Sequence, residues 1–195
     1  SNTFNRYFRC FSGLVLFSYL FFLSASAHHP FEASGQNLSF LEGIISGLAH
    51  PILGIDHLLF LLSVGLISRF SFKKWLPLFL LCGLLGAIIS QLIPGIVGFE
   101  FLMGISLVVS AFVTLEKLPT VIMFPLILCH GYLLGNTMVG VEPSPLIAYF
   151  VGMLIIEALV ILLGFNICQK FKGQKLLFSG ILIGSGLSLT YGLIA

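Results

Sequence analysis

Long apolar runs separated by short polar breaks make up most of this chain. After residue 39 they fall at about 40–68, 76–93, 95–115, 118–139, 145–167 and 175–194. Arg69 to Lys74, Pro94-Gly95, Glu116 to Pro119, Glu142 to Pro145 and Lys170 to Lys175 divide them. A run of about 20 apolar residues is long enough to cross a bilayer as a helix. Backbone in lipid must satisfy its own hydrogen bonds, and these runs lack the alternation of a membrane β-strand, so each predicts a helix. The expected fold is all-α: a polytopic membrane bundle of six transmembrane helices forming one domain over residues 28–195.

Residues 1–27 read as a cleavable signal sequence. Arg6 and Arg9 supply the basic start, Gly13 to Leu23 the apolar stretch, and Ala25-Ser26-Ala27 the small-residue cleavage site. Cleavage would leave His28 and His29 at the new N-terminus; the rival reading is a retained N-terminal helix. With the polar segment 28–39 outside, Arg69, Lys73, Lys74, Lys117, Lys170, Lys172 and Lys175 all fall on the inner loops. Arg6 and Arg9 also start inside, so the positive-inside rule orients the bundle. The expected setting is a bacterial inner membrane, with both the mature N-terminus and the C-terminus outside.

Composition agrees with that picture. Of 195 residues, 58% are hydrophobic and 8% charged, which excludes a soluble globular domain and disorder alike. The net charge of +2 is too small to point to nucleic acid. Cys10, Cys82, Cys129 and Cys168 form no CxxC pair and read as small core residues. Gly43 with Gly47, Gly131 with Gly135, and Gly180 with Gly184 stand at the four-residue spacing that lets helices approach closely. No repeat of the first half in the second supports an inverted-repeat transporter.

The chemistry concentrates in His50-Pro51-Ile52-Leu53-Gly54-Ile55-Asp56-His57, inside the first apolar run. Ionisable groups at membrane depth face a protein interior or a wet cavity, and they mark function unless they merely tie helices together. On a regular helix His50 and His57 would share a face but stand about 10.5 Å apart along the axis. One metal ion cannot bind both imidazoles across that gap at about 2 Å each. Either Pro51 and Gly54 break the helix and draw the groups together, or the histidines are successive stations along a path.

Few other polar groups lie at similar depth. His130 and Glu157 are each about 18 Å from a helix end, and His50 is about 15 Å deep. Taken singly, His130 could be a satisfied core histidine and Glu157 a hydrogen-bonded carboxyl. Their shared depth favours a joint site. Imidazole with carboxylate suits nickel, cobalt or zinc better than calcium or magnesium. A nearby divalent ion favours a deprotonated carboxylate, so Glu157 could exchange a proton for metal. His28 and His29, with a free amine beside them, could capture metal at the outer face.

HPILGIDHLLFLLSVGL, after a signal sequence with histidine directly behind its cleavage site, resembles the HupE/UreJ family of nickel and cobalt permeases. His50, Pro51, Gly54, Asp56 and His57 match the family's H-P-x-x-G-x-D-H element position by position. The resemblance extends to length, span count and the punctuation at Pro77 and Pro94. It implies nickel or cobalt as cargo, no catalytic cofactor, and metallochaperones of a nickel or cobalt enzyme as partners beside the ion and membrane lipid. A homo-oligomer stays open. The chain departs from the family in two places. Of the fourth-span pattern H-G-H-A-H-G only His130, Gly131 and Gly135 remain, with Tyr132 and Leu134 at the other histidine positions. Where members often carry a fifth-span histidine, Ile161 stands, with Glu157 one turn away.

The expected function is therefore a secondary permease importing a divalent transition metal, with His50, Asp56, His57, His130 and Glu157 as its membrane site. No P-loop for nucleotide hydrolysis is present. The alternatives are an intramembrane zinc hydrolase, which would use the same groups but shows no H-E-x-x-H, and an accessory subunit that delivers metal. Haem ligation would have only His50, His57 and His130 deep enough to serve.

Overall fold

The computed structural model describes residues 38–67 and 71–194, with a few positions between 5 and 16. Most of the expected signal sequence, together with His28 and His29, lies outside the described residues. Among the described residues the chain is helical throughout, with no strand. Its helices are α1 (Phe40–Leu53), α2 (Ile55–Ile67), α3 (Phe72–Leu92), α4 (Phe99–Thr114), α5 (Met123–Asn136), α6 (Pro143–Lys170) and α7 (Lys175–Ile194).

Local chemistry explains the ends. Ser39 and Glu42 form a reciprocal cap at the start of α1. The Glu42 amide donates to Ser39 Oγ at 3.3 Å and the Ser39 amide to Glu42 Oε2 at 2.7 Å. Proline opens α6 and Lys170 lies in its last turn, where a cation suits the helix dipole. Gly98 precedes α4 at φ 97°, a left-handed conformation that glycine adopts without strain.

The first apolar run is a broken helix, its halves α1 and α2 bent by 80° at Gly54. Among the described residues only α3 and α6 are single helices long and apolar enough to cross a membrane; counting α1–α2 as one broken span gives three. The sequence pattern predicts six. Two of the missing spans end early, because α4 has 16 residues and α5 has 14. At 1.5 Å per residue these are about 24 and 21 Å long, short of the roughly 30 Å of hydrocarbon. The apolar run continues beyond the helix at both places, which is why hydropathy alone overestimates their length.

Three long pairings build the bundle: α1 on α6, α3 on α5, and α4 on α7, with α2 against α6 and α4. Glycines carry these contacts. A Cβ on Gly43 or Gly47 would overlap the carbonyl oxygens of Pro145 or Tyr149 in α6, and one on Gly131 would overlap Gly83 O in α3. The α4–α7 contact runs through Gly104 and Gly186. Phe60, Leu61 and Val64 of α2 form the centre of the core with Phe79, Leu107, Ile127 and Ile161. On the outside, α6 exposes Ile147, Val151, Ile155, Leu159 and Leu162, about one every turn. An apolar stripe of that kind fits contact with lipid.

Close approach predicts a packing penalty that depends on position. Gly86→Ala would drive a methyl into the Leu128 carbonyl, whereas a Cβ on Gly192 meets nothing within 4 Å. Gly86→Ala should cost about 1–3 kcal/mol of stability, and Gly192→Ala should cost none. Thermal unfolding of the two purified variants in detergent measures the difference; equal melting would contradict this packing.

Candidate metal centre

The site forms where the broken helix turns. Pro51 lies inside α1 and lacks the amide that would bond one turn back, and the helix ends two residues later, at Leu53. Gly54 is extended at φ −80°, ψ 103°, and its amide donates to His50 O at 3.2 Å. The conformation does not demand glycine; the surroundings do. A Cβ there would lie 2.9 Å from His57 Cδ2 and 3.0 Å from Asp56 Oδ1. The bend brings the His50 and His57 ring centres to 6.0 Å, edge to face. The helix break that Pro51 and Gly54 suggest is present.

His57 meets His130 of α5. Their Nδ1 atoms are 3.4 Å apart and the rings lie at 83°. Two nitrogens at about 2.0–2.1 Å from one metal in tetrahedral geometry would also be about 3.4 Å apart. The spacing is long for a hydrogen bond and matches a coordination edge.

Neighbouring hydroxyls decide the tautomers. Ser106 Oγ donates its hydrogen to Met103 O at 2.7 Å and lies 2.7 Å from His130 Nε2. His130 Nε2 must then be the donor in that contact, which leaves the lone pair on Nδ1, facing His57. Phe60 stacks on the His130 ring at 3.5 Å between centres, fixing its plane. The same logic applies to His50. Tyr149 OH and Thr137 Oγ1 both donate to Leu134 O, at 2.8 and 2.9 Å. His50 Nδ1, 2.9 Å from the Tyr149 oxygen, therefore carries the hydrogen and Nε2 the lone pair. Each ring is oriented by a partner behind it, as metal-binding histidines are.

Glu157 of α6 is buried and lines, with His130, Phe60, Ile127 and Ile161, a cavity of about 10 Å³. That is at the lower limit for one water molecule. Asp56 is half-buried, and its carboxylate, like His57, lies beside Gly54. The structure thus sets His57 between His50 and His130, places Glu157 at an adjoining cavity, and puts Asp56 beside Gly54 at the break. Among the described residues no group of three or more His, Cys, Asp or Glu side chains converges as a closed metal cage. Cations are also served by α1, whose C-terminal carbonyls end at the break.

Sequence reasoning passed over the orienting groups Ser106 and Tyr149. A signal existed for Ser106, since Ser106, Ser110 and Thr114 recur every fourth residue in an apolar helix. Tyr149, near the start of an apolar run, carries no comparable sign.

Comparison with curated proteins and with solved structures gives no match. The family model described as HupE / UreJ protein matches residues 15–191, most of the chain, and it spans the broken helix, His130 and Glu157. This membrane protein belongs to the HupE / UreJ family.

Proposed function

We propose that the chain is a permease importing a divalent transition metal, nickel or cobalt, through the histidine site at the break between α1 and α2. The observation that carries this reading is the His57–His130 pair, with facing Nδ1 atoms 3.4 Å apart and a His130 lone pair directed between them. Family membership supports it, because HupE/UreJ proteins are associated with nickel or cobalt transport or an accessory role rather than with an enzyme class. In this reading the apolar helices make six crossings, with α1–α2 as one, in an inner membrane with the mature N-terminus outside. Asp56 adds negative charge near the pair. An open site suits transport, since a closed cage of protein ligands would hold the ion too tightly to release it.

Energetics need no nucleotide. A doubly charged ion moving through about 100 mV, negative inside, yields roughly 4.6 kcal/mol, a gradient of over a thousandfold. The deciding experiment is nickel and cobalt uptake by the purified protein alone in vesicles with an imposed potential. Uptake without a partner supports the permease. Metal binding with no flux would favour the accessory role.

Within that assay three outcomes follow. His57→Ala should abolish uptake and leave folding intact, as judged by its melting transition; normal transport by this variant would remove the centre of the proposal. Replacing His28 and His29 by alanine should raise the nickel concentration for half-maximal uptake and spare the maximal rate, which a concentration series separates. Glu157→Gln should weaken uptake, while Glu157→His, which returns an imidazole to the cavity beside His130, should retain more. Wild-type flux in the Gln variant would show that the carboxylate takes no part.

A further inference from the structure

The site is connected to the other end of the bundle along one face of α4. Ser106 touches His130, and Ser110 and Thr114 follow at four-residue intervals, all three buried. Ser110 Oγ donates to Ser106 O at 2.7 Å, and Thr114 Oγ1 donates to Ser110 O at 2.8 Å. Each hydroxyl therefore spends its one hydrogen on its own helix, and its remaining capacity is that of an acceptor. A row with only acceptors left favours a cation and disfavours an anion.

Back-bonded hydroxyls also occur in helices for purely local reasons. What distinguishes this row is what stands at each end. At one end is the histidine pair. At the other, about 12 Å away along the axis, Thr114 lines a cavity of about 210 Å³ with Leu66, Thr120, Cys168, Glu116 and Lys175. Glu116 takes φ 60°, unusual for a residue with a Cβ, and its carboxylate accepts from Lys175 Nζ at 2.6 Å. The cavity lies at the end bearing Lys117, Lys170 and Lys175, which the charge pattern assigns to the inside.

We propose that the metal ion leaves the histidine pair along the Ser106–Ser110–Thr114 face of α4 and passes into this cavity, where Glu116 is the first carboxylate it meets. The route rests on the permease reading and adds its inner half. Hydroxyl oxygens are weak ligands for nickel or cobalt, so they let the ion pass without trapping it. Ser110 and Thr114 are positioning groups of the path and not of the binding site.

The test compares radioactive nickel uptake in vesicles with equilibrium nickel binding to the same purified protein. The Ser110→Ala/Thr114→Val double variant removes two acceptors with little change of volume. Its uptake should fall about tenfold or more, with binding affinity within about twofold of wild type. Ser110→Thr, which keeps the oxygen, should retain uptake, and so should Phe112→Ala on the exposed face of the same helix. A double variant transporting at the wild-type rate would overturn the route and leave the permease standing. Loss of binding together with uptake would also overturn it, since the hydroxyls would then serve the fold or the site. A wild type that binds nickel without moving it would sink the permease reading itself.

Discussion

A helix broken inside an apolar bundle must have its freed backbone groups covered by protein, because lipid cannot satisfy them. Here α6 covers the break. At 28 residues it is the longest described helix, and it lies along both α1 and α2. Gly43 and Gly47 on one half meet Pro145 and Tyr149, and Gly65 on the other half meets the Ile161 carbonyl. Gly152 and Gly164 return the contact onto Ile44 and Leu62. Backbone against backbone leaves little freedom, so α6 acts as a splint across the 80° bend. The distance between His50 and His57 is set by that splint more than by anything the histidines do themselves.

The second constraint is the direction of the hydrogen bonds. Ser106, Thr137 and Tyr149 all give their hydrogens to main-chain carbonyls. As a result their oxygens accept from His130 and His50, and the imidazole lone pairs turn away from the orienting groups. A histidine cluster serving only as glue between helices would use its lone pairs to accept hydrogen bonds from its neighbours. In this bundle Ser106, Thr137 and Tyr149 donate to backbone instead, so these three hydroxyls do not occupy an imidazole lone pair.

Helix positions were legible from hydropathy because each apolar run is one helix or one broken pair. The break was legible too, since Pro51 and Gly54 in an apolar run have few other uses. Shared depth suggested one joint site, and His130 does lie beside His57. Helix length was less legible than helix position: the apolar runs extend before Phe99 and past Asn136, where α4 begins and α5 stops, and turns such as Glu116 at positive φ leave no mark in composition. Nor could spacing place Asp56. Its side chain leaves the helix about 100° from His57, and at the bend both side chains come up against Gly54.

The contrast between Glu157 and Ile161 bears on how such a site changes its ligands. The two residues are one turn apart on α6, and both line the small cavity that His130 shares. A ligand at either position would therefore open on the same space, so an imidazole at 161 and a carboxylate at 157 are alternative ways of adding a donor there. They are not chemically equal. Carboxylate oxygen is a harder ligand than imidazole nitrogen and carries charge, which weakens discrimination against the harder divalent ions. In the proposed permease, selectivity for a borderline metal would then rest more heavily on His57 and on His130, whose ring is held by Ser106 and Phe60.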